Sequence, residues 1–399
     1  MALNQPSKWE WVNFEEAVEI WDSLRKPINS KERAQRISDK KQEELYPYFG
    51  ATGQVGYIDS YLSDGEYVLL GEDGAPFLDP VANKAYLIQG KAWVNNHAHV
   101  LRSKYNNKFL CYYLNQFNYN GFVTGTTRYK LTQAAMKRIP IPVPSPDEQE
   151  RIVSKIEELF SRLDASVSEL QTAKERLKVY RQAVITQAFP TLFEGRTVKL
   201  SDIASVSGGI TKGRKLDNCD ILTLPYLRVA NVQNGFLDLQ EVKTIQLKQS
   251  EKDKYLLKYG DVLYTEGGDR DKLGRGTVWR NEIEHCVHQN HVFKARLDLD
   301  RAIPEYVAYW SMSTPARNYF YQKGKQSVNL ASINKTVLSN LLLPLPPVAD
   351  QQKIIESISA RISVADNIEQ SLDISLRQAE SLRQSILKQA FEGRLIDAL

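Results

Sequence analysis

Two stretches of this chain place apolar residues at every seventh position. The first set is Ile156, Leu163, Leu170, Leu177 and Val184. The second set is Ile358, Ala365, Leu372, Ala379 and Ile386. This spacing puts one apolar row along a helix and predicts two long coiled-coil helices. Because a helix with a single apolar face is unstable alone in water, we expect the two helices to pack on each other, antiparallel.

These helices belong to a longer internal repeat. Residues 142–189 align with residues 344–391 without a gap, at a constant offset of 202. Each copy begins with a proline-rich segment typical of a strand and closes on Gln-Ala-Phe. The first copy alone carries four extra residues, 190–193, before a Glu-Gly-Arg ending that both copies share. A period this long indicates a duplicated module rather than a solenoid.

The segments before and between the helices are predicted to form mixed α/β domains, here called heads. Strands are predicted at residues 67–70, 92–94, 261–264 and 292–295, and short helices at residues 107–116 and 304–312. At an offset of 194, and with no gap between, residues 68–74 and 96–97 correspond to residues 262–268 and 290–291. The heads otherwise diverge, which indicates one scaffold with two different binding surfaces.

The predicted fold class is α+β or mixed. Two α/β domains are separated by two long antiparallel coiled-coil helices, with a pseudo-twofold internal repeat. The predicted boundaries are 1–145 for the first head, 146–196 for the first helix, 197–348 for the second head and 349–399 for the second helix.

Composition places the chain among ordinary soluble globular proteins. It has 399 residues, of which 42% are hydrophobic and 25% charged. Three scattered cysteines, Cys111, Cys219 and Cys286, form no disulfide framework and favour a reducing cytoplasm. No apolar run approaches the roughly 18–20 residues that span a bilayer, and the N-terminus has no signal-peptide pattern. We therefore expect a cytoplasmic protein without a membrane segment.

The excess of positive charge lies in the heads. Lys and Arg outnumber Asp and Glu by 17 to 15 in residues 1–145 and by 21 to 16 in residues 197–348, whereas both helices are slightly acidic. This distribution favours heads that approach a polyanion and helices that face protein. An incidental excess of this size is equally compatible with the numbers.

The sequence lacks the usual catalytic signatures. It contains neither a G-x-x-x-x-G-K-[ST] phosphate loop nor a G-x-S-x-G nucleophile turn. Residues 50–56 space their glycines wrongly for a dinucleotide loop. The first head has Lys91 and Ala92 where the second has His285 and Cys286, so we expect no metal site there. The charged segment 269–275 is compatible with a turn held by local ion pairs or with a loop that contacts DNA.

Several predicted loops mix basic residues with hydroxyls, amides and aromatics, the residue types that contact phosphates and base edges. In the first head the candidate DNA contacts are Tyr46, Thr52, Gln54, Thr127, Arg128 and Lys130. In the second head they are Lys212, Arg214, Arg228, Asn231, Arg270, Lys272, Arg275 and Lys325. Any one of these loops alone is more typical of a solvated surface, but their number around a shared scaffold favours binding of nucleic acid.

On these motifs the chain resembles the specificity subunit of type I restriction–modification systems, over essentially its whole length. The resemblance rests on residues 46–53, 65–74 and 96–97 in the first half and on residues 260–263, 268–276 and 289–293 in the second. The repeated Pro-x-Pro, Glu-Gln and Gln-Ala-Phe elements complete it. The chain departs from the family pattern at Phe189-Pro190, which interrupts the junction after the first helix.

The resemblance implies a subunit without catalytic activity or a cofactor of its own. Each head would read one half of an asymmetric bipartite site in double-stranded DNA, and the helix pair would set the gap. The implied partners are two adenine-N6 methyltransferase subunits, which use S-adenosylmethionine, and two motor–endonuclease subunits, which use ATP and magnesium. The alternative is a two-headed protein scaffold or adaptor that uses its heptads for assembly. A fused methyltransferase would need an Asn/Asp-Pro-Pro-Tyr/Phe motif, which the sequence lacks.

Overall fold

In the computed structural model, the described residues are 9–189, 197–214, 216, 220–326 and 331–396. The chain forms two compact units. The first consists of Met1–Gln171 and Asp373–Leu399, and the second is Thr172–Leu372. Each unit therefore contains one head together with part of each long helix, so the packing divides the chain differently from the four segments predicted above.

In the part of the first unit that the structure describes, eight strands and four short α-helices precede the first long helix. In chain order these are β1 (Glu10–Val12), α1 (Phe14–Ala17), β2 (Val18–Ile20), α2 (Ser30–Ile37), β3 (Tyr46–Gly50), β4 (Gly53–Ile58), β5 (Ser63–Gly71), β6 (Ala85–Val94), β7 (Ala98–Ser103), α3 (Asn107–Gln116), α4 (Gln133–Met136) and β8 (Ile141–Val143). The long helix α5 (Pro146–Ala188) follows and continues into the second unit.

A six-stranded sheet organises the first head, with strand order β2-β7-β5-β6-β3-β4. All neighbours are antiparallel except β3 and β6. The central strand β5 is buried on both faces at its end. Val68 and Leu70 point into the core shared with α3, whereas Leu69 points into a second apolar cluster with Ile88 and Val100. The period-two alternation of a strand thus supplies two cores from consecutive residues.

Among its described residues, the second unit has twelve strands and four short α-helices before the last long helix. In chain order they are β9 (Thr197–Lys199), β10 (Ala204–Ser207), β11 (Ile221–Leu227), β12 (Lys243–Lys248), α6 (Lys252–Tyr255), β13 (Val262–Thr265), β14 (Gly267–Gly268), β15 (Gly276–Val278), β16 (Val287–His288), β17 (Val292–Leu297), α7 (Pro304–Met312), α8 (Thr314–Lys323), β18 (Lys325–Gln326), β19 (Ala331–Ser332), α9 (Lys335–Ser339) and β20 (Leu342–Pro344). Helix α10 (Val348–Phe391) follows and ends in the first unit.

The second head uses the same strand neighbours but divides them among separate sheets. These are β10-β17-β13-β15, β12-β11-β16 and β14-β19-β18. The single strand β6 of the first head corresponds to β15 and β16 here. Val68 pairs with Leu87, but Val262 pairs with Val278, so the second hairpin is shorter. The expectation that the two heads match without a gap is therefore wrong. The offset between paired residues falls to 191 at β15, and a longer connection after β15 brings it back to 194 at β16.

The two long helices pack antiparallel within each unit. In the second unit, Arg181 of α5 pairs with Asp366 and Glu369 of α10, both at 2.7 Å. In the first unit, Arg383 of α10 pairs with Asp164 of α5 and lies 4.3 Å from the ring centre of Phe160. These contacts, together with the two α/β heads, confirm the predicted fold class.

The heptad rows differ in burial. The positions predicted at the seven-residue spacing are the a positions of the heptads. The eight large apolar residues there are all buried or half-buried, namely Ile156, Leu163, Leu170, Leu177, Val184, Ile358, Leu372 and Ile386. The d positions of the same heptads lie four residues before these. They form a second row that is less covered, since Tyr180, Ile368 and Leu382 are exposed. One apolar row therefore closes the helix pair, and part of the other faces outward.

Helix α10 ends as its sequence predicts. Gly393 has a φ of 72°, the left-handed conformation that glycine adopts without strain. Its N–H donates to the Ala390 carbonyl, and the Arg394 N–H donates to Gln389, the two bonds of a Schellman cap. The matching Glu-Gly-Arg of the first copy and the four-residue insertion before it lie outside the described residues.

Candidate nucleic-acid interface

A glutamate at the end of β5 holds three distant segments of the first head together. The N–H of Glu72 donates to the His97 carbonyl at 2.7 Å, and its own carbonyl accepts from the Leu131 N–H at 2.7 Å. Just before Leu131, a hairpin is closed by reciprocal backbone bonds between Thr124 and Lys130, at 3.0 and 2.8 Å. We call residues 72–74, 97 and 124–131 the first-head junction.

The second head repeats this arrangement at the end of β13. The N–H of Glu266 donates to the His291 carbonyl at 3.0 Å, and its carbonyl accepts from the Ile333 N–H at 2.8 Å. In the first head, Lys130 pairs through its backbone with Asp73 and Thr124. In the second head the three-stranded sheet β14-β19-β18 takes the place of these pairings. We call residues 266–275, 291, 325, 326 and 331–333 the second-head junction.

The junctions bring together seven of the predicted DNA-contact residues. These are Thr127, Arg128 and Lys130 in the first head and Arg270, Lys272, Arg275 and Lys325 in the second. In the sequence these residues lie in separate loops, and nothing in their spacing predicts that Glu72 and Glu266 organise them. One signal was available in the sequence. The two heads otherwise diverge, yet each has a glutamate directly after the corresponding strand.

An open cleft of about 700 Å³ lies at the first-head junction. Thr52, Thr127 and Arg128 line it, so the structure brings these three predicted residues onto one surface. Tyr46 and Gln54 are outside the lining. The Tyr46 ring packs on Tyr61, with centroids 5.1 Å apart, and the Gln54 amide donates to the carbonyl of Gly56 at 3.2 Å.

Charges in the first-head junction are paired with one another. Asp73 accepts from Nε of Arg128 at 2.7 Å and lies 3.6 Å from His97. Glu72 pairs with Arg25, and with Lys130 at 3.6 Å. The junction is therefore close to neutral, in spite of the basic character of its hairpin.

A buried histidine supports this junction from behind. His99 contacts Asp22 through Nδ1 at 2.8 Å and the Leu131 carbonyl through Nε2 at 3.2 Å. Burial raises the pKa of Asp22, but the hydrogen bonds from His99 and the Val100 N–H, together with the charge of Arg25, lower it on balance. Asp22 thus stays ionised and fixes the histidine beneath the junction.

The basic residues of the second-head junction are held in different ways. Arg270 lies over the ring of Tyr321, 4.4 Å from its centre, and its Nε donates to the Tyr321 carbonyl at 3.2 Å. Lys272 pairs with Asp269. Arg275 donates to the side chain of Gln233 at 3.1 Å, and Lys325 is exposed. The two junctions therefore share a backbone scaffold and differ in the groups they present.

Four predicted residues of the second head lie outside its junction. Lys212 is exposed. Arg214 forms two hydrogen bonds to Glu251, at 2.8 and 2.7 Å, which raise its pKa above the usual value for arginine. Arg228 donates to the backbone carbonyl and the carboxylate of Glu241, at 3.0 and 3.1 Å. Both arginines are thus already paired within the head.

Asn231 is 3% exposed and supports its own loop. Its side-chain oxygen accepts from the Arg228 N–H at 2.9 Å, and its amide donates to the carbonyls of Asp238 and Glu241 at 2.8 and 3.0 Å. A buried amide satisfied in this way has no group left to offer to a base. In this structure Asn231 holds the loop that carries Arg228 and presents nothing to a ligand.

Other kinds of site are not apparent in the described part of the chain. No group of three or more His, Cys, Asp or Glu side chains there is placed to hold a metal ion. Nor does any helix among the described residues have the length and apolar character required to cross a membrane.

Comparison with known proteins places the chain in a family. The sequence profile described as "Type I restriction modification DNA specificity domain" matches residues 6–174 and 194–378, which make up most of the chain. The chain therefore belongs to the type I restriction–modification DNA specificity family. Each match contains one complete head and most of the helix that follows it.

Relatives with assigned names agree with this membership. The chain is 27% identical, over 95% of its length and 94% of the relative, to the putative type I restriction enzyme specificity subunit S.HindORF215P of Haemophilus influenzae. It is 26% identical to the type I restriction enzyme EcoKI specificity subunit of Escherichia coli, over 68% of this chain and 61% of that one.

Solved structures have the same fold. A chain from a structure titled "Structural basis underlying complex assembly and conformational transition of the type I R-M system" matches with a TM-score of 0.68 at 18% identity, over 98% of this chain and 99% of that one. The HsdS subunit from Thermoanaerobacter tengcongensis matches with a TM-score of 0.52 at 17% identity, over 98% of both chains.

Proposed function

We propose that this chain is the DNA-recognition subunit of a type I restriction–modification complex. Each head reads one half of an asymmetric bipartite DNA site. The helix pair sets the length of the unspecified gap between the halves and docks two methyltransferase subunits. The observation that carries this proposal is the presence of the same glutamate-centred junction in both heads, surrounded by different side chains.

The contrast between the junctions supports reading of two different sequences. The first presents Arg128 beside a carboxylate, and the second presents Arg270 on an aromatic ring. Arginine in a fixed orientation is the commonest reader of base edges, whereas exposed Lys130 and Lys325 suit phosphate contacts. A shared backbone would dock both heads on DNA in the same way, and the divergent side chains would select different bases.

The outward faces of the long helices support docking of protein partners. In the second unit, Val179 and Tyr180 on α5 and Val364 and Ile368 on α10 are exposed. Apolar side chains grouped on an exposed surface are typical of protein contacts. At the equivalent positions of the repeat, the first unit has Arg162, Ser166, Ser381 and Leu382, of which only Leu382 is apolar. The docking of two copies of the same methyltransferase subunit therefore rests on the repeat of the helices themselves and not on two identical apolar surfaces.

The chemistry then belongs to the partners. The methyltransferase subunits would bind S-adenosylmethionine and modify adenine N6, and two motor–endonuclease subunits would use ATP and magnesium. The chain itself would be a non-catalytic cytoplasmic protein without a cofactor. Its contribution is to hold sequence-specific contacts in place while the partners act.

Co-expression with a type I methyltransferase subunit tests the proposal. Adenine methylation of the host genome is mapped by long-read sequencing. We expect one bipartite motif with two specified halves and a fixed gap, and no such motif when this chain is omitted. The same methyltransferase paired with another specificity subunit serves as the activity control. If that control methylates DNA and the pair containing this chain does not, the DNA-reading function is wrong and the adaptor alternative gains support.

A further inference from the structure

The guanidinium of Arg128 has a fixed orientation in the open cleft of the first-head junction. Its Nε donates to Asp73 at 2.7 Å, and its side chain is 60% exposed. Its two terminal nitrogens have no hydrogen-bond partner among the residues that the structure describes. A guanidinium held at Nε presents its terminal N–H groups outward as a pair, the geometry required for bidentate recognition.

Two glycines allow the backbone to approach Arg128 closely. Gly125 has a φ of 100°, and a side chain there would collide with the carbonyl oxygen of Arg128. Gly74 has a φ of 81°, and a Cβ there would lie 3.3 Å from Nε of Arg128. The hairpin is closed by the reciprocal bonds between Thr124 and Lys130, and these close approaches let Arg128 reach Asp73. Arg128 is therefore pre-organised, which reduces the entropy lost when it binds.

The charge of the cleft favours a base edge over a phosphate. Asp73 neutralises Arg128, and the cleft is also lined by Asp79. A phosphate brought to Arg128 would be repelled by these carboxylates, since phosphate contacts depend on net positive charge. A base edge has no net charge and pairs through hydrogen bonds. Among the four bases, guanine presents two acceptors in the major groove, O6 and N7, which match two parallel N–H donors.

We propose that Arg128 reads a guanine in the half-site bound by the first head and that Asp73 is its positioning residue. The terminal nitrogens of Arg128 donate to O6 and N7 of that guanine in the major groove. This inference rests on the proposed DNA-reading function, and it assigns one base and one pair of residues to that function.

Base-substitution binding tests the assignment with the full chain bound to its methyltransferase subunits. Duplexes carrying each of the four base pairs at every specified position compete for wild type, Arg128→Ala, Arg128→Lys and Asp73→Asn. We expect Arg128→Ala to lose roughly 10- to 100-fold of the preference for guanine at one position of one half-site. Asp73→Asn should lose part of the same preference, although it removes a negative charge from the cleft. Arg128→Lys should prefer guanine less strongly than the wild type does, because lysine cannot present two parallel N–H donors.

A phosphate contact would give a different set of results. Arg128→Ala would then weaken binding equally for every duplex and lower the salt slope by about one unit, and Asp73→Asn would tighten binding without changing base preference. Either result overturns the guanine assignment. Lys108→Ala, which removes a charge from α3 paired with Glu157 at 2.6 Å, is the matched control and should leave base preference unchanged. A wild-type complex with no bipartite preference would overturn the proposed function itself, whereas a bipartite preference that survives Arg128→Ala overturns only this inference.

Discussion

At the scale of single residues, His288 in the second head combines burial with an unsatisfied atom. Its Nδ1 donates to the Val292 carbonyl at 2.6 Å, and its Nε2 is buried without a partner among the described residues. Burial lowers the pKa of His288 to about 4, and the nearby charges of Lys294 and Arg296 act in the same direction. The folded protein therefore keeps this imidazole neutral at a pH where an unfolded chain would protonate it.

We predict that His288 makes the second unit less stable in mild acid. The unfolded histidine binds a proton below about pH 6.5, but the folded one does so only near pH 4, so stability is lost as pH falls between these values. The loss should reach at most about 3 kcal/mol in the free energy of unfolding. Urea denaturation between pH 7 and 4.5 measures it. His288→Asn keeps a donor for the Val292 carbonyl, and its free energy of unfolding should depend less steeply on pH than that of the wild type. Equal pH dependence in the two proteins would contradict the prediction.

At the scale of elements, a repeated glutamine fastens the start of each long helix. Gln149 in α5 and Gln351 in α10 are both buried and occupy the same position in the repeat. The Gln149 amide donates to the Pro144 carbonyl at 3.0 Å. Gln351 makes the matching bond to Pro346 at 2.9 Å and also bonds the Arg301 carbonyl and the Ile303 N–H, each at 2.9 Å. The second copy therefore joins its helix to more of its head than the first.

Replacement of these glutamines should have unequal effects. Gln351→Ala leaves three backbone groups without their partner and is expected to cost about 2–4 kcal/mol of unfolding free energy. Gln149→Ala removes one such bond and is expected to cost about 1–2 kcal/mol. Chemical denaturation of the two variants side by side gives the comparison. A Gln149 variant that is destabilised as much as the Gln351 variant would show that the extra bonds contribute little.

The two heptad rows of α10 provide a second comparison with the same residue type. Ile358 is 0% exposed, whereas Ile368 is 45% exposed. Ile358→Ala should lower the free energy of unfolding by about 2–5 kcal/mol, because it leaves a cavity in the core. Ile368→Ala should change it by less than about 1 kcal/mol. If Ile368 lies under a methyltransferase subunit, its replacement should instead weaken assembly, measured by titration of the partner. A stable Ile358→Ala variant would contradict the packing described here.

At the scale of the whole molecule, both long helices pass through both units, and the division between the units is a place where their length can be changed. Phe189 at the end of α5 packs against Tyr306 and Trp310, so an insertion there would disrupt the second unit. The division between the units falls after Gln171 in α5 and after Leu372 in α10. An insertion of seven residues at both points preserves the heptad register.

We predict that this paired insertion lengthens the gap in the recognised DNA and leaves both half-sites unchanged. Seven residues add about 10 Å of helix, or about three base pairs. Long-read mapping of adenine methylation measures the gap directly. A variant with the insertion in α5 alone is the matched control, and it should lose stability because the lengths of the two paired helices no longer match. Changed half-sites with an unchanged gap would refute the idea that the helices set the spacing.

Much of the architecture followed from the sequence because it depends on local patterns. Helices α3 and α7 have the bounds predicted for them, since Asn106 caps the first and Pro304 occupies the first turn of the second. Strands were placed by their apolar runs, although β5 and β6 extend beyond the predicted residues. The long helices followed from a seven-residue period that repeats in both copies. Periodicity, capping and duplication act through neighbours in the chain, so a single sequence reveals them.

Only the tertiary structure decided which predicted residues share a surface. The hydrogen bonds of Glu72 join residues that are distant in the chain, and the repeat alone did not show that Glu266 does the same. The sequence could not distinguish the exposed Arg128 from the buried Asn231, since both lie in polar loops with similar composition. Burial, pairing of charges and the split of β6 into β15 and β16 depend on long-range contacts. Those contacts compete with many alternatives of similar energy, and the choice among them is made by the packed core as a whole.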